Sequence, residues 1–378
     1  MQLRKAFKFE IMPNGNQIRR IKQFCGCSRF VFNRALAWQN EQYEQDNSFK
    51  FSYTKIANLL PQWKKELLWL KDCHSQVLQQ SLKDLESAFK NFFQQRADFP
   101  KFKKKGLKER FRFPQGCKLE QQNNRLYLPK IGWVRYRNSR EVIGEIKNVT
   151  VSQKCRRFFV SIQTEFEYQI PIHNGGEIGI DMGVARFATL SNGEFFVPLN
   201  VFKTFKGKLA KLQRQLKNKV KFSRNWQKLK AKIGQLHHKI ANCRKDFLHK
   251  ISTQISKNHA MIYIEDLQVS NMSKSAKGTA ETPGKNVAAK SGLNQAILDQ
   301  SWFEFRRQLS YKTQWRGGFL VAVPPQNSSR TCPCCSHIAK ENRQTQAHFE
   351  CVECGYTENA DVVGALNVLG RGRAIVHA

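Results

Sequence analysis

Acidic residues are scarce in this 378-residue chain: 29 aspartates and glutamates stand against 64 lysines and arginines, for a formal net charge of +35 at pH 7. Folding does not need that excess, and it repels itself unless a polyanion is present. Nucleic acid is the expected partner, because its phosphates release counterions when basic side chains neutralise them. An anionic membrane surface is the weaker alternative. No run of 18 apolar residues is present to span a bilayer. The segment Met1 to Phe7 carries no apolar signal core, so a cytoplasmic protein with no membrane partner is expected. An even cysteine frame is missing as well. Of eleven cysteines, seven, counting Cys334, are scattered, which excludes a disulfide scaffold and argues for reduced thiols. The length allows two or more domains.

Residues 1–12 read as a strand, with Leu3, Phe7, Phe9 and Ile11 alternating before the Pro13-Asn14-Gly15 turn. Helical spacing follows from Gln17 to about Tyr43. A second amphipathic helix is predicted from Ser75 to Arg96, its apolar stripe being Val77, Leu78, Leu82, Leu85, Phe89, Phe92 and Phe93. Its polar edge, Gln76, Gln79, Gln80 and Lys83, suits nucleic acid, since glutamine can read adenine edges. Phe99 to Lys108 mixes aromatics with Lys101, Lys103, Lys104 and Lys105, which offers charge and stacking surface to RNA or single strands. Short strands from Phe111 to about Ile172 predict a small barrel or curled sheet that the first strand could join.

Pro171 to Gly176 reads as a linker. Beyond it, Ile178 to Leu190 forms strand, turn and strand, with Asp181 where the first strand ends. Ser191-Asn192-Gly193-Glu194 then makes a hairpin turn. Two basic helices follow: from Val201 to Lys250 there are 16 lysines and arginines and one acid, Asp246. That balance predicts an electrostatic rail along a nucleic-acid backbone. Met261 to Glu265 is a second apolar strand ending in acid. Residues 271–290 are rich in Ser, Lys, Gly, Ala and Thr and read as a flexible lid. Ile297 to Trp315 is predicted as one helix with Leu298, Trp302, Phe305 and Leu309 inward, and Phe319 to Val323 as a buried strand. The order of elements makes a mixed α/β layer fold.

Asp361 opens a further apolar helical run. Three carboxylates delivered by two strand ends and one helix start, Asp181, Glu265 and Asp361, form a set that hard cations such as Mg²⁺ favour. Two such ions, roughly 3.5–4 Å apart, activate water and stabilise a leaving oxygen in phosphodiester cleavage. Cys332, Cys335, Cys351 and Cys354 form two C-x-x-C knuckles separated by fifteen residues, the spacing of a structural zinc site with four thiolates. Cys334 is a bystander inside the first knuckle. With all four positions filled by sulfur the zinc has no open site and is not the catalyst.

These residues resemble the TnpB (OrfB) proteins of insertion sequences, kin of the type V CRISPR nucleases. The resemblance rests on Gly179-Ile180-Asp181-Met182-Gly183, Ile264-Glu265-Asp266-Leu267, Ser328 to Cys335, Phe349 to Gly355 and Asn359-Ala360-Asp361. Arg29 to Asn33 and Phe99 to Lys103 are further landmarks. It implies an α/β multidomain protein: a β-barrel wedge domain with a helical recognition insertion, then an RNase H-like RuvC nuclease domain with an inserted zinc ribbon. The implied boundaries are 1–12 for the first wedge strand, 13–98 for the recognition insertion and 99–171 for the wedge barrel. The RuvC domain would take 172–330, with the basic hairpin at 201–256 and the lid at 271–291. The target-strand-loading zinc ribbon would take 331–358, and the last RuvC motif 359–378. The implied activity is RNA-guided cleavage of double-stranded DNA beside a short motif, with a guide RNA from the transposon end, as a monomer with RNA. Asp181, Glu265 and Asp361 would bind two Mg²⁺ ions, the four cysteines one Zn²⁺, and Tyr53 and Gln79 would read the DNA motif. Val363 and Arg330 depart from the residues common in the family. The alternatives are a nuclease-inactive guided repressor, which would lack one of the three acids, and a transposase that itself joins strands, which would need a module for holding two ends.

Overall fold

The computed structural model describes residues 1–377. The chain divides into two compact units, Met1–Gln169 and Ile170–Ala378. The first begins with strand β1 (Gln2–Met12), followed by α1 (Gly15–Gln45), α2 (Tyr53–Ala57), α3 (Leu60–Glu66), a 3₁₀ turn at Leu68–Asp72 and α4 (Ser75–Phe93). Six strands follow: β2 (Arg110–Phe113), β3 (Lys118–Glu120), β4 (Arg125–Leu128), β5 (Gly132–Tyr136), β6 (Glu145–Lys154) and β7 (Arg157–Glu167). They form one antiparallel sheet in the order β2-β6-β7-β1-β5-β4-β3. β1 runs along β7 from Gln2↔Glu167 to Ile11↔Phe158 and then takes up β5 at Ile11↔Tyr136. All helices of this unit are therefore inserted between one inner strand and the rest of its sheet. No pairing joins the edge strands β2 and β3 among the described residues, so by hydrogen bonding the sheet is open.

Local signals explain the helix ends. Asn14 caps α1 through a reciprocal box: its Oδ1 accepts from Gln17 N at 2.9 Å, and Gln17 Oε1 accepts from Asn14 N at 3.0 Å. Helix α4 stops at Phe93, short of the predicted Arg96, because Gln95 turns left-handed at φ 56°. The stripe loses its last members with it. Phe89 is buried, but Phe92 is half-buried and Phe93 is 68% exposed.

The second unit holds β8 (Gly176–Asp181), β9 (Ala188–Leu190), β10 (Phe195–Phe196), the long helices α5 (Val201–Lys217) and α6 (Arg224–Asn258), and β11 (His259–Glu265). Then come α7 (Val269–Met272), α8 (Val287–Gln300), α9 (Trp302–Trp315), β12 (Phe319–Val323), the small hairpin β13 (His348–Glu350) and β14 (Thr357–Asn359), and α10 (Ala360–His377). The predicted single helix from Ile297 is two helices, and part of the predicted loop before it is α8. The break is Ser301, held left-handed at φ 60°. It resets the helical phase, so Leu298 is 54% exposed while Trp302, Phe305 and Leu309 are buried. β12 is less buried than its apolar run suggests: it is an edge strand, with Phe319 exposed and only Val323 fully inside.

The sheet order is β10-β9-β8-β11-β12, with β8, β11 and β12 parallel. Alternation sorts its two faces. Ile178, Ile180, Ile262 and Ile264 pack with Leu248, Ile251 and Ile255 of α6 and Phe305 and Leu309 of α9. The other face carries Gly179 and Tyr263 and is covered by α10, with Val368 and Leu369 against Tyr263 and Val323. Contact there is at backbone distance. A Cβ on Gly179 would stand 2.2 Å from the Ala365 carbonyl oxygen and 2.8 Å from Leu369 N. Gly179→Ala should therefore lift α10 from β8. It is expected to cost about 3 kcal/mol and to lower the midpoint of thermal unfolding of the full chain, measured by calorimetry; an unchanged midpoint would contradict this packing.

Candidate active site and metal centre

The face under α10 is where the three predicted acids meet. Residues 179, 181, 261, 263 and 265 share it by strand alternation. The parallel register pairs Ile180 with Ile264, so Asp181 and Glu265 lie side by side one residue further on. Helix α10 supplies the third acid from its first turn. Asn359 caps it, its Oδ1 accepting from Asp361 N at 3.1 Å, and Arg186 Nη1 donates to the same oxygen at 3.3 Å. One turn on, Gly364 lies against Asp181: a Cβ there would be 3.1 Å from the Asp181 Cγ.

Electrostatics shows that the three acids feel one another. Burial, then the charges of Glu265 and Asp361, push the Asp181 carboxyl up to about 8, against an opposing pull from Arg343. Glu265 is 5% exposed. Burial raises it too, while the Ser328 hydroxyl, donating to Oε1 at 2.6 Å, and Arg371 draw it back. Asp361 has Arg343 Nη2 at 3.8 Å from its Oδ1. The neighbouring acid Asp266 is not part of the set, being ion-paired with Arg306.

Among the described residues, the only metal-capable side chains whose ligand atoms all lie within 4.8 Å of one another are the four cysteines. The three carboxylates are set wider than a closed shell around one ion. The acid set fits a divalent cation: the acids act on one another, and Arg343 and Arg371 pull against that only as opposing contributions.

The cysteines fit a tetrahedral metal. Cys332 Sγ lies 3.6 Å from Cys354 Sγ, and Cys335 Sγ lies 3.6 Å from Cys351 Sγ; four thiolates around zinc would stand about 3.8 Å apart. Each knuckle closes in the same way. Ser336 N donates to Cys332 O at 3.0 Å, and Gly355 N to Cys351 O at 2.9 Å, with Gly355 at φ 71°. Cys334 is exposed, outside the set. The knuckles are stitched together by Asn342, which is fully buried. Its Nδ2 donates to Arg330 O at 3.0 Å and His337 O at 3.2 Å, and its Oδ1 accepts from Val352 N at 3.0 Å. Asn367 of α10 reaches the turn before the ribbon, donating to Ser328 O and Thr331 O at 2.7 Å each. Val363, one of the two departures, is fully buried with Cys332, Phe349 and Cys351 and so serves the core of the ribbon. Arg330, the other, is exposed.

In the first unit, Tyr53 on α2 lies under Lys83 of α4, the ammonium 5.7 Å from the ring centroid, and Gln79 is exposed on α4. Lys101, Lys104 and Lys105 are exposed. Lys103 differs from them. Its ammonium sits 3.6 Å over the Phe32 ring, its main chain is clamped on both sides by the Asn33 amide, and burial pulls it down to about 8. Its ammonium packs on a ring, which a charge run cannot reveal.

Sequence reasoning gave no role to Ser328, Asn342, Arg343, Asn359, Gly364 or Asn367. Ser328 and Asn359 lie inside recognised motifs, but only the fold brings their side chains to the acids.

Residues 161–276 match a family described as OrfB_IS605, "Probable transposase". Residues 302–368 match "Cas12f1-like, TNB domain". A chain of Escherichia coli strain K12, "Putative RNA-guided DNA endonuclease InsQ", is 58% identical over all of this chain and 94% of its own length. The chain belongs to the TnpB (OrfB) family. A second relative, "Putative RNA-guided DNA endonuclease" of Streptomyces pristinaespiralis, is 31% identical over 99% of this chain and 90% of its own. The fold is that of a solved type V effector. A chain in "Cryo-EM structure of the Cas12f1-sgRNA-target DNA complex" superposes with a TM-score of 0.58 at 14% identity, covering 93% of this chain and 82% of that one. A further match, "Helix-turn-helix domain", covers residues 1–48; in this TnpB-family chain those residues form β1 and the single helix α1.

The raised Asp181 carboxyl has a sign that can be tested. Its protonated form is favoured in the fold, so its contribution to stability is complete below about pH 4 and is lost as pH rises through about 8. In EDTA, Asp181→Asn is expected to unfold about 4 °C above the parent at pH 8.5, the gap closing toward pH 4. An equal gap at both pH values, or none, would contradict the crowding of charge.

Proposed function

We propose that this chain is an RNA-guided DNA endonuclease that hydrolyses phosphodiester bonds of double-stranded DNA at a divalent-cation centre. The observation that carries the reading is the delivery of Asp181, Glu265 and Asp361 to one face of a parallel sheet, from two strand ends and one helix start. The names of the relatives at 58% and 31% identity support it. Retention of all three acids favours it over a guided binder without nuclease activity.

Asp181, Glu265 and Asp361 would hold two Mg²⁺ ions. Bound cations there supply Lewis acidity and charge neutralisation to the scissile phosphate. The protein's own part is orientation. Ser328 occupies Oε1 of Glu265 and leaves Oε2 for a cation. Asn359, steadied by Arg186, fixes the turn that presents Asp361, and Gly364 lets that turn approach Asp181. Bound zinc at Cys332, Cys335, Cys351 and Cys354 would be structural.

The remaining assignments follow the same reading. The guide is an RNA from the end of the transposable element, and the target is double-stranded DNA bearing a short motif. The curled sheet of the first unit acts as the wedge domain and its inserted helices as the recognition insertion. Tyr53 and Gln79 contact the motif, and Lys101, Lys104 and Lys105 contact phosphates, with Lys103 holding that segment onto Phe32. The rail of α5 and α6 follows a nucleic-acid backbone.

Protein co-expressed with its element should carry one defined RNA, and with Mg²⁺ should linearise a plasmid holding the matching target. Asp181→Ala should reduce the single-turnover rate at least about 100-fold while the RNA still co-purifies. Retained cutting in this variant would remove the triad. Random or absent RNA in an otherwise folded parent would remove the guided reading.

A further inference from the structure

A cavity of the second unit shares one residue with the acid set. Its volume is about 470 Å³, inside the range of roughly 300–1,000 Å³ usual for small-ligand sites. It lies beyond the carboxyl ends of two parallel strands, where open α/β sheets bind their ligands. Met182 follows β8, Glu265 closes β11, and Leu267 comes from the segment after it. The start of α9 supplies Trp302 and Phe303. Glu265 belongs both to the three acids and to this wall, so an occupant of the cavity is a neighbour of the reacting centre.

The chemistry of the walls describes that occupant. Met182, Leu267 and Phe303 are apolar, and Phe303, in the first turn of α9, is 75% exposed. A large aromatic ring left in water beside a cavity is a platform for a flat partner. Trp302 is 3% exposed, and its indole Nε1 has no acceptor among the described residues. A buried donor of this kind gains from a ligand that brings an acceptor. Of the charged residues that line the cavity, Asp266 and Arg306 pair with each other, and Glu265 adds a negative charge. A phosphate is therefore disfavoured inside. A flat, neutral ring with acceptor atoms on its edge satisfies all three conditions, and a nucleobase is such a ring.

We propose that this cavity is a nucleobase subsite of the nuclease centre. The base next to the scissile phosphodiester leaves its stack, lies on the Phe303 ring and accepts a hydrogen bond from Trp302 Nε1. Its phosphate is then held at the edge of the acid set, and the strand is cut at one position. Phe303 and Trp302 position the strand; they form no covalent bond and move no proton. The inference rests on the nuclease reading and adds to it what registers the strand against the acids.

The test uses the guide-loaded protein and a target whose cut ends are mapped by sequencing. Phe303→Ala is expected to bind the target in Ca²⁺ as the parent does, to cut about 5–100-fold more slowly in single turnover, and to spread its ends over neighbouring phosphates. Phe303→Tyr, which keeps the ring, should hold both rate and position. An abasic nucleotide beside the cut should slow the parent by a similar factor and slow Phe303→Ala no further, a result that a merely structural role for Phe303 does not give. A readout without cutting places 2-aminopurine at each position of the target strands in turn, in Ca²⁺. One position should be quenched in the parent and bright in Phe303→Ala. Cutting by Phe303→Ala at the parent rate and position would overturn the proposal. So would an abasic site that slows parent and variant equally, or the lack of any Phe303-dependent quenching. Such quenching in a parent that never cuts with Mg²⁺ would instead leave the base site standing and overturn the nuclease reading.

Discussion

Helix α10 lies on strand β8 at a distance only glycine allows, and the site depends on that contact. Gly179 admits the helix backbone, Gly364 admits the carboxyl of Asp181, and between them they set where the first turn of α10 falls. Asp361 is brought against Asp181 by main-chain packing more than by any attraction between side chains. The side chains themselves repel: after burial, the charges of Glu265 and Asp361 add to the upward shift of Asp181. A fold that presses three acids together stores that repulsion until cations enter. This is the usual trade of stability for function at a site.

The second constraint is the four-cysteine cluster. Its residues cannot build a core of their own: the buried set around them is Cys332, Phe349, Cys351, Ala360 and Val363, and two of these belong to α10. The ribbon and the helix that bears Asp361 are therefore one packed piece, joined again by Asn367 to the backbone at Ser328 and Thr331. Metal in the ribbon would brace the helix start, which carries Asp361.

Much of this was legible in the sequence for identifiable reasons. Apolar runs that end in acid, such as Met261 to Glu265, mark parallel strands whose ends carry side chains to one edge of a sheet. Paired C-x-x-C knuckles mark a metal by spacing alone. What stayed hidden depends on three-dimensional context. The left-handed Ser301 splits one helical pattern into two and exposes Leu298, and no local preference of serine announces it. Lys103 looks like its neighbours in a charge run but packs on Phe32. Asn342 and Arg343 sit in a polar loop that reads as solvent-facing until the ribbon folds. The placement of β1 as an inner strand was open in sequence, because alternation gives a strand its faces but not its partners.

The central claim is that the sheet face beneath α10 holds a cation site made by three distant acids. Anomalous diffraction from crystals of the protein soaked in Mn²⁺ tests it most directly. The account predicts manganese peaks bounded by Asp181, Glu265 and Asp361, lost in Asp181→Asn crystals. Ordered carboxylates with no peak between them, or peaks confined to other surfaces, would contradict it.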